Sequence, residues 1–479
     1  MRSRAVHRVR KLVDDPAGRA PRAFDEFQGA ATRPGHGGSP GSGRVRARHA
    51  CLGTRAVRAA PRSARGSMVS GPGPVVALRV RPGVDPMPWL RELWRRGTTV
   101  LLAADAMPDT ARAGMMAAAG TSEEIDAASV PIASSDGTPL RAADHPDAAG
   151  VLVSTSGSSG TPRLVELSLA ALVSSAERGA TAVPFGPGDT WHASLAPHHV
   201  GGLMLHVRAA VLGGAVRHAP LPRTWAEVDG CTHVSLVAAQ LARLLEDPAG
   251  PPRTLKAVML GGGPSPAMLR RAALSRGLPL FVTYGMTESA SQVATCRPAM
   301  ADADTLAGPP IPGVRIEADS VAADGTGELT VDGPVLARAI IDGGRRLALT
   351  RPHRTRDAGF IDALGRIHVV GRLDAVINSG GRKVHPESIE RTLCSVAGVR
   401  AACVVGVAHP RWGQRPVAFV DAAEAAAAAI DRALRAVHPP HEMPDAILRM
   451  PDDEAGAMKP SRARLAARLA AGERFDAFS

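Results

Sequence analysis

The chain has 479 residues, 45% of them hydrophobic, with a formal net charge of +12; that length accommodates two or three domains, each with its own core. Aromatic residues make up only 3% and no apolar run approaches the ~18 residues that span a bilayer, so an aromatic nucleic-acid platform and an integral membrane protein are both disfavoured. The five cysteines (51, 231, 296, 394 and 403) form no C-x-x-C pair, which argues against a disulfide framework or thiolate zinc site and fits a reducing cytoplasm.

The charge is unevenly placed. Residues 1–67 hold fifteen Lys+Arg against four Asp+Glu, a balance of +11, and the other 412 residues hold 42 against 41. This leading segment is rich in Arg, Gly, Pro and Ala, without an apolar period, and reads as disordered. Three origins fit it: a basic nucleic-acid arm, a transit-like presequence, or upstream sequence joined by a wrong start. The last is favoured, since Met68 opens ordinary globular sequence. Lysine is scarce, at positions 11, 256, 383 and 459 only, which slightly raises the chance that each does chemistry arginine cannot.

From Val75 on, strand-like runs alternate with helical patterns. Strand Val75–Val80 precedes helix Trp89–Arg96 and strand Thr98–Ala103. Strand Gly150–Thr155 follows, then a helix near Leu169–Gly179, strand Thr190–Ala196 and helix Leu203–Leu212. This alternation predicts α/β layers on mostly parallel sheets. After about residue 310, shorter strands and turns (Gly327–Val331, Gly359–Val370) predict a small β-rich subdomain. Residues 375–479 read as a separate small α+β domain. It carries a strand pair (Ala401–Val407, Pro416–Val420), an alanine-rich helix (Ala422–Val437) and a basic helix (Ser461–Ala471).

The chemistry-bearing segments sit at the ends of such runs. Gly150–Thr155 leads into Ser156-Gly157-Ser158-Ser159-Gly160 and then Arg163. Small residues there let backbone N–H groups and hydroxyls approach phosphate oxygens. The loop lacks the Walker A pattern, and taken alone it is as well a flexible linker. Gly261-Gly262-Gly263 ends a second strand, Ala257–Leu260, and Tyr284-Gly285-Met286-Thr287-Glu288 ends a third. Later come Thr355-Arg356-Asp357, then Gly371-Arg372-Leu373-Asp374, then Ser379-Gly380-Gly381, and finally Met458-Lys459-Pro460.

In this order and spacing, over residues 75–470, the segments resemble the adenylate-forming superfamily of acyl- and aryl-CoA ligases, luciferases and nonribosomal-peptide adenylation domains. The resemblance implies a large layered α/β domain (68–371), a hinge (372–374) and a mobile lid (375–479). It implies ATP, Mg²⁺ and coenzyme A, and an acyl-adenylate formed by in-line displacement at phosphorus. By the same resemblance, the loop from Thr155 to Gly160, with Arg163, holds the departing phosphates. Thr287 binds the α-phosphate and Glu288 a Mg²⁺ ion. Gly261, Gly262, Gly263, Tyr284 and Gly285 line the adenine slot. Asp357 takes the ribose hydroxyls, Arg372 supports that end, and Lys459 bridges the carboxylate and the adenylate. Asp374 is the implied hinge residue, and Ser379, Gly380 and Gly381 the implied pantetheine-channel loop. Standing alone, Asp357 and Glu288 read equally as turn and cap acids, Arg372 as a solvated residue and Lys459 as ordinary surface. The chain departs from the usual motifs: Arg356 replaces a glycine, Ala375 an aspartate, and Met458 the glycine before the lysine.

Three features are most similar to the o-succinylbenzoate–CoA ligase branch of menaquinone biosynthesis. Only 87 residues separate Met68 from Thr155, Ser289-Ala290-Ser291-Gln292 follows the acidic motif, and Pro197-His198-His199 opens a helix carrying Arg208. Met204, Val207, Arg208 and Val211 fall on one helical face. A guanidinium there must meet an anion or snorkel out. Two readings stand: Arg208 clamps the second carboxylate of a diacid, with His199 and Ser291 in the acyl pocket, or it forms a structural ion pair. His199 is equally an ordinary wall histidine.

The expected activity is AMP-forming ligation of o-succinylbenzoate to coenzyme A. Its alternatives are another aryl- or acyl-CoA ligase and a stand-alone adenylating enzyme that loads a carrier protein. The rival from another class is a basic-arm nucleic-acid-binding protein with a vestigial adenylation fold. The expected partners are small molecules, with no membrane and no nucleic acid, in the cytoplasm.

Overall fold

The computed structural model describes residues 74–478 apart from 82, 129–137, 156–162, 264, 323–324 and 456–459. The readings of residues 1–67, of Ser156–Gly160 and of Lys459 therefore lie outside the described residues.

Four sheets build the described chain. The first has seven strands. Val75–Val80, Thr99–Ala104, Glu124–Asp126 and Gly150–Thr155 pair in parallel, whereas Arg163–Ser168, Ala339–Asp342 and Arg345–Ala348 extend it antiparallel. Its parallel strands read VVALRV and TVLLAA, and near-continuous apolar runs like these belong in strands covered on both faces. Helices Met87–Arg95 and Leu169–Ala182 supply Leu90, Trp94, Leu172 and Ala176 to the core on one side. Trp94, wholly buried, satisfies its indole N–H on Gly150 O at 2.9 Å, which fixes the helix against the strand. Glu166 and Arg346 form a buried bidentate pair, 2.7 and 3.0 Å, that ties the outermost strand of the antiparallel extension to its innermost one.

The second sheet has six strands. Thr190–Ala193, Ala215–His218, His233–Leu236, Ala257–Leu260 and Leu280–Met286 run parallel, and Ser291–Cys296 returns antiparallel along the edge. Helix Val200–Leu212 packs across Leu169–Ala182 between these two sheets. It is buried all round from Gly202 to Arg208, so the one-faced stripe expected from the sequence is in fact an enclosed helix.

The parallel expectation holds for most of the second sheet and only half of the first. The β-rich region is a five-stranded antiparallel sheet that starts earlier than expected, at Leu306–Gly308. Within it the run 359–370 is a hairpin rather than one strand: His353–Ile361 turns at Asp362–Arg366 into Ile367–Arg372. Asp362 makes the turn by accepting the N–H groups of Leu364 and Arg366, both at 2.9 Å.

The remaining sheet joins Ile377–Ser379, Arg382–Val384, Val399–His409, Gly413–Ala422 and Ala446–Arg449. Helices Pro386–Cys394 and Ala427–Val437 cover one of its faces, and Arg462–Ala470 packs on the other. The alanine-rich segment is shorter as a helix than expected, because the preceding strand runs on to Ala422. Arg391 Nη1 donates to Val370 O at 2.8 Å, which seats this unit against the hairpin end. Strand Val399–His409 also meets helix Ala238–Leu244 of the second sheet. Among the described residues no helix is long and apolar enough to cross a membrane.

Candidate active site

The motif segments converge where strands end. Leu280–Met286 delivers Tyr284, Thr287 and Glu288, and the antiparallel hairpin delivers Asp357 opposite Arg372 in direct register. Crevices at the carboxyl ends of parallel strands are where open α/β sheets hold ligands.

Tyr284, Asp357, Arg372 and Asp374 form one network. The Tyr284 hydroxyl donates to Asp357 Oδ2 at 2.5 Å, and Arg372 Nη1 donates to Asp357 Oδ1 at 3.2 Å and to Thr355 O at 2.9 Å. Arg372 forks onto Asp374 through Nε at 3.0 Å and Nη2 at 2.7 Å. Asp357 is only 7% exposed, and its backbone N–H rests on Thr355 Oγ1 at 3.0 Å. Burial, then the Asp357 carboxylate, push the Tyr284 phenol well up, so it stays a donor. The bond to Asp374 leads in holding Arg372 firmly protonated, and Arg372 in turn lowers the Asp374 carboxyl. A carboxylate offers about four acceptor positions, so Asp357 keeps capacity toward a vicinal diol.

Two backbone features shape this end. Tyr284 and Gly285 straddle a register shift, and a Cβ at Gly285 would collide with the Ser291 carbonyl, so glycine is needed there. Arg356, standing where the superfamily motif carries glycine, adopts φ +61°. Its N–H donates to Glu328 Oε1 at 3.1 Å, one of the contacts that hold the strained turn.

Beyond Glu288 the chain turns through Ala290 (φ +50°) and Ser291 (φ +88°), a second strained pair. It is held by Ser175 Oγ on Ala290 O at 2.7 Å and by Ser289 Oγ on Ser291 O at 3.0 Å. Ala337 N–H donates to Glu288 O at 2.8 Å, and among the described residues Glu288 enters no ion pair. A half-buried carboxylate without a cationic partner suits a hard divalent ion.

Sequence reasoning missed His353, which lies near Glu288. Burial, partly opposed by the Glu288 charge, holds its imidazole below the ordinary range. His353, Arg163, Asp342, Arg356 and Asp374 line a cleft of about 500 Å³. Arg163 sits opposite Thr155 in the strand pair and bonds Asp342 at 2.9 Å. Gly261–Gly263 close the strand beside Leu280–Met286, with Gly262 at φ +78°.

Arg208 is 4% exposed. Its Nη2 donates to Gln292 Oε1 at 3.2 Å, and its guanidinium stands 5.5 Å from the Trp191 ring centroid. No carboxylate among the described residues pairs with it, and burial alone lowers it to about 10, so it remains a cation at neutral pH. The structural ion pair weighed from the sequence is absent among the described residues. Its partners Gln292 and Trp191 went unseen because they lie 84 and 17 residues away with no local pattern linking them. Gly179 lets Gln292 and Arg208 approach helix Leu169–Ala182, since a Cβ there would stand 2.9 Å from Gln292 Oε1.

The other acyl-side candidates are more dispersed. His199 caps the opposite end of the same helix, nine residues or roughly 13 Å along its axis from Arg208. It lies against His198, ring centroids 4.2 Å apart. Ser291 neighbours Gln292 in sequence, and successive strand residues point to opposite faces.

In the smaller unit, Ser379 is buried and its Oγ accepts Arg415 Nη1 at 2.9 Å. Gly380 (φ +59°) and Gly381 (φ +80°) make the hairpin turn that follows, and Trp412 covers Gly380 so closely that a side chain there would strike its ring.

The profile of the AMP-binding enzyme family matches residues 92–340, and that of the AMP-binding enzyme C-terminal domain matches residues 388–455. A 2-succinylbenzoate–CoA ligase of Bacillus cytotoxicus is 34% identical over 289 residues, 56% of this chain and 59% of the relative. One from Salmonella typhimurium is 35% identical over 278 residues, 57% and 58% of the two chains. The chain thus matches about three fifths of the length of these curated relatives. Among solved structures, a variant of E. coli MenE with bound OSB-AMS superposes with TM-score 0.69 at 25% identity, covering 84% of this chain and 88% of that one. The o-succinylbenzoate CoA synthetase from Bacillus subtilis, in complex with the acyl-adenylate intermediate OSB-AMP, gives 0.65 at 21%, covering 79% and 85%.

Proposed function

The chain belongs to the AMP-binding enzyme family, whose profile matches just over half of it, and from that premise we propose that it activates o-succinylbenzoate with ATP and transfers the acyl group to coenzyme A. The observation that carries the substrate reading is Arg208. It is a buried, protonated guanidinium with a neutral amide and an indole ring as its partners and, among the described residues, no carboxylate. Burying a cation without an anion is costly, and a ligand carboxylate offsets that cost. o-Succinylbenzoate has two carboxylates, one to be activated and one left over for such a clamp. The identity shared with ligases named for this substrate supports the same reading.

The remaining residues divide the work. Asp357 accepts the ribose hydroxyls while Tyr284 and Arg372 hold its two oxygens in place. Glu288, with no ion pair among the described residues, is the fitting protein ligand for Mg²⁺, and the bound ion would neutralise charge on the phosphates. Thr155, Ser156, Gly157, Ser158, Ser159, Gly160, Arg163 and Thr287 are assigned to the phosphates, and Gly261, Gly262, Gly263 and Gly285 to the adenine edge. Lys459 is assigned to the bond-forming step, where a compact ammonium on a flexible stem can reach both the carboxylate and the phosphate.

We divide the chain at residues 372–374, with 68–371 as the large domain and 375–479 as the lid. Asp374 is the proposed pivot: its ion pair with Arg372 opposes rotation, and breaking it frees the lid to bring Ser379, Gly380 and Gly381 to the thiol.

A panel of carboxylates scored first by ATP–pyrophosphate exchange and then by CoA thioester formation tests the reading. o-Succinylbenzoate should exceed benzoate and other monoacids in both steps. Exchange without thioester on every acid would turn the assignment to a carrier-loading enzyme. The two steps should also separate by mutation: Lys459→Ala should lose adenylate formation yet convert supplied acyl-adenylate to thioester.

A further inference from the structure

Away from this site, three segments bring a carboxylate and two imidazoles together. Asp85 lies in the loop before helix Met87–Arg95, His206 in the middle of helix Val200–Leu212, and His218 at the end of strand Ala215–His218. One donor atom from each lies within 4.8 Å of the other two.

His206 is 2% exposed. Its buried Nδ1 has Asp85 Oδ1, 3.3 Å away and off the line of a good hydrogen bond, as its one close polar neighbour among the described residues. An unsatisfied ring nitrogen in such a place costs stability unless something meets it. The His206 and His218 rings stand with centroids 5.1 Å apart and planes 27° apart. The Asp85–His206 distance and the ring separation match those of a metal centre, and the wider 4.8 Å limit is closed by side-chain rotation at exposed Asp85. Zinc–ligand bonds of about 2.0–2.1 Å at a tetrahedral angle place adjacent donor atoms about 3.3 Å apart and two ligating imidazole centroids about 5 Å apart. Asp85 is held ready by the Met87 N–H, which donates to its Oδ1 at 3.0 Å, and its side chain is 48% open to solvent, giving an ion a way in.

We propose that Asp85, His206 and His218 form a binding site for a zinc-class divalent cation, with water as the fourth ligand. Two nitrogen donors and one oxygen select zinc, cobalt or nickel over magnesium, which takes oxygen ligands. The site would tie the first strand's exit loop to the enclosed helix and to the edge of the second sheet. His206 lies two residues from Arg208, on a different side of that helix, so the ion takes no part in the acyl chemistry and its role is structural.

The test uses the full chain, stripped of metal and titrated with Zn²⁺ alone by calorimetry, with a parallel Co²⁺ titration followed by visible absorption. One equivalent should bind, raise the melting temperature and give Co²⁺ the strong absorption of a tetrahedral site. Asp85→Asn and His218→Gln, both at partly exposed positions that tolerate change, should each weaken Zn²⁺ about tenfold or more and remove the cobalt bands. The main competitor is the His198–His199 pair, so His198→Asn combined with His199→Asn should leave both signals unchanged. Zinc binding that survives the Asp85 and His218 substitutions, or that disappears with the His198–His199 pair, overturns the proposal. So does a wild-type chain that takes up no equivalent of either metal.

Discussion

The two halves of the site solve the problem of buried charge in opposite ways. On the proposed nucleotide side, Arg372 pairs with both Asp357 and Asp374 while Tyr284 donates to Asp357, so every formal charge has an opposite partner within 3.2 Å although the group keeps a net charge of −1. On the proposed acyl side, Arg208 is buried deeper and, among the described residues, meets Gln292 and Trp191 without a carboxylate. A network in which each charge already has a partner can greet hydroxyls, which carry no charge, without reorganising. An unbalanced cation waits for an anion and rejects ligands that lack one. On the proposed function, specificity belongs beside Arg208 and the Asp357 side stays general.

The largest effect should come from breaking the unbalanced half. Arg208→Ala should raise the KM for o-succinylbenzoate by an amount equivalent to about 2–5 kcal/mol, the scale for losing one member of a buried charge pair. The KM for ATP should barely move, and benzoate-like monoacids should be much less affected. Equal losses on diacid and monoacid would return Arg208 to a structural role. Asp357→Asn attacks the paired half. It leaves Arg372 with Asp374 and removes one charge from the ribose contacts, so the KM for ATP should rise by roughly 1.5–3 kcal/mol in free energy. The preference among acids should stay as it was. Steady-state kinetics with ATP and acid varied separately reads both variants.

What the sequence made legible follows the same division. The Tyr284–Asp357–Arg372–Asp374 end is written as short contiguous motifs, so these residues and Glu288 could be named from the sequence, although the two strands that carry Asp357 and Arg372 were read as one run, 359–370. The acyl half depends on packing between distant segments. Periodicity put Arg208 on an apolar helix face, but nothing local pointed to Gln292, Trp191 or the all-round burial of the helix from Gly202 to Arg208. His353 was invisible for the same reason, because its neighbour Glu288 is 65 residues away. Arg356 was visible only as a departure from a motif, and its backbone explains why that departure matters.

A smaller effect, on stability, should follow from that position. Arg356 holds φ +61°, and a left-handed residue with a side chain costs roughly 1–2 kcal/mol. Arg356→Gly removes that cost, gives part of it back through a more flexible unfolded chain, and keeps the N–H bond to Glu328. The net expectation is a gain of about 0.5–1 kcal/mol, read as a higher denaturation midpoint. The Arg356 charge also helps lower Asp374, so the variant should loosen the Arg372–Asp374 pair slightly. An unchanged or lower midpoint would show that the guanidinium, lining the cleft beside Asp374, contributes more than the strain takes away.

The last effect concerns pH: it vanishes at neutral pH, where the others are read, and grows only on acidification. Burial, reinforced by the neighbouring His199, pushes His198 down to about 4. Unfolded, the same imidazole titrates near its ordinary value of about 6.5. Between these two values the unfolded chain binds the proton and the folded chain does not, so stability rises with pH across that window. The contribution is complete above about 6.5, falls away as the medium is acidified and is gone below about 4. His198→Asn cannot take up this proton, so its melting temperature should decline less than that of the wild type between pH 6.5 and 4, and the two curves should run parallel above pH 7. Because Arg208 stays charged throughout this range, diacid binding should not follow His198. Parallel curves through the whole acid range would mean that His198 is solvated well enough to titrate normally, and that the wall beside His199 is open rather than enclosed.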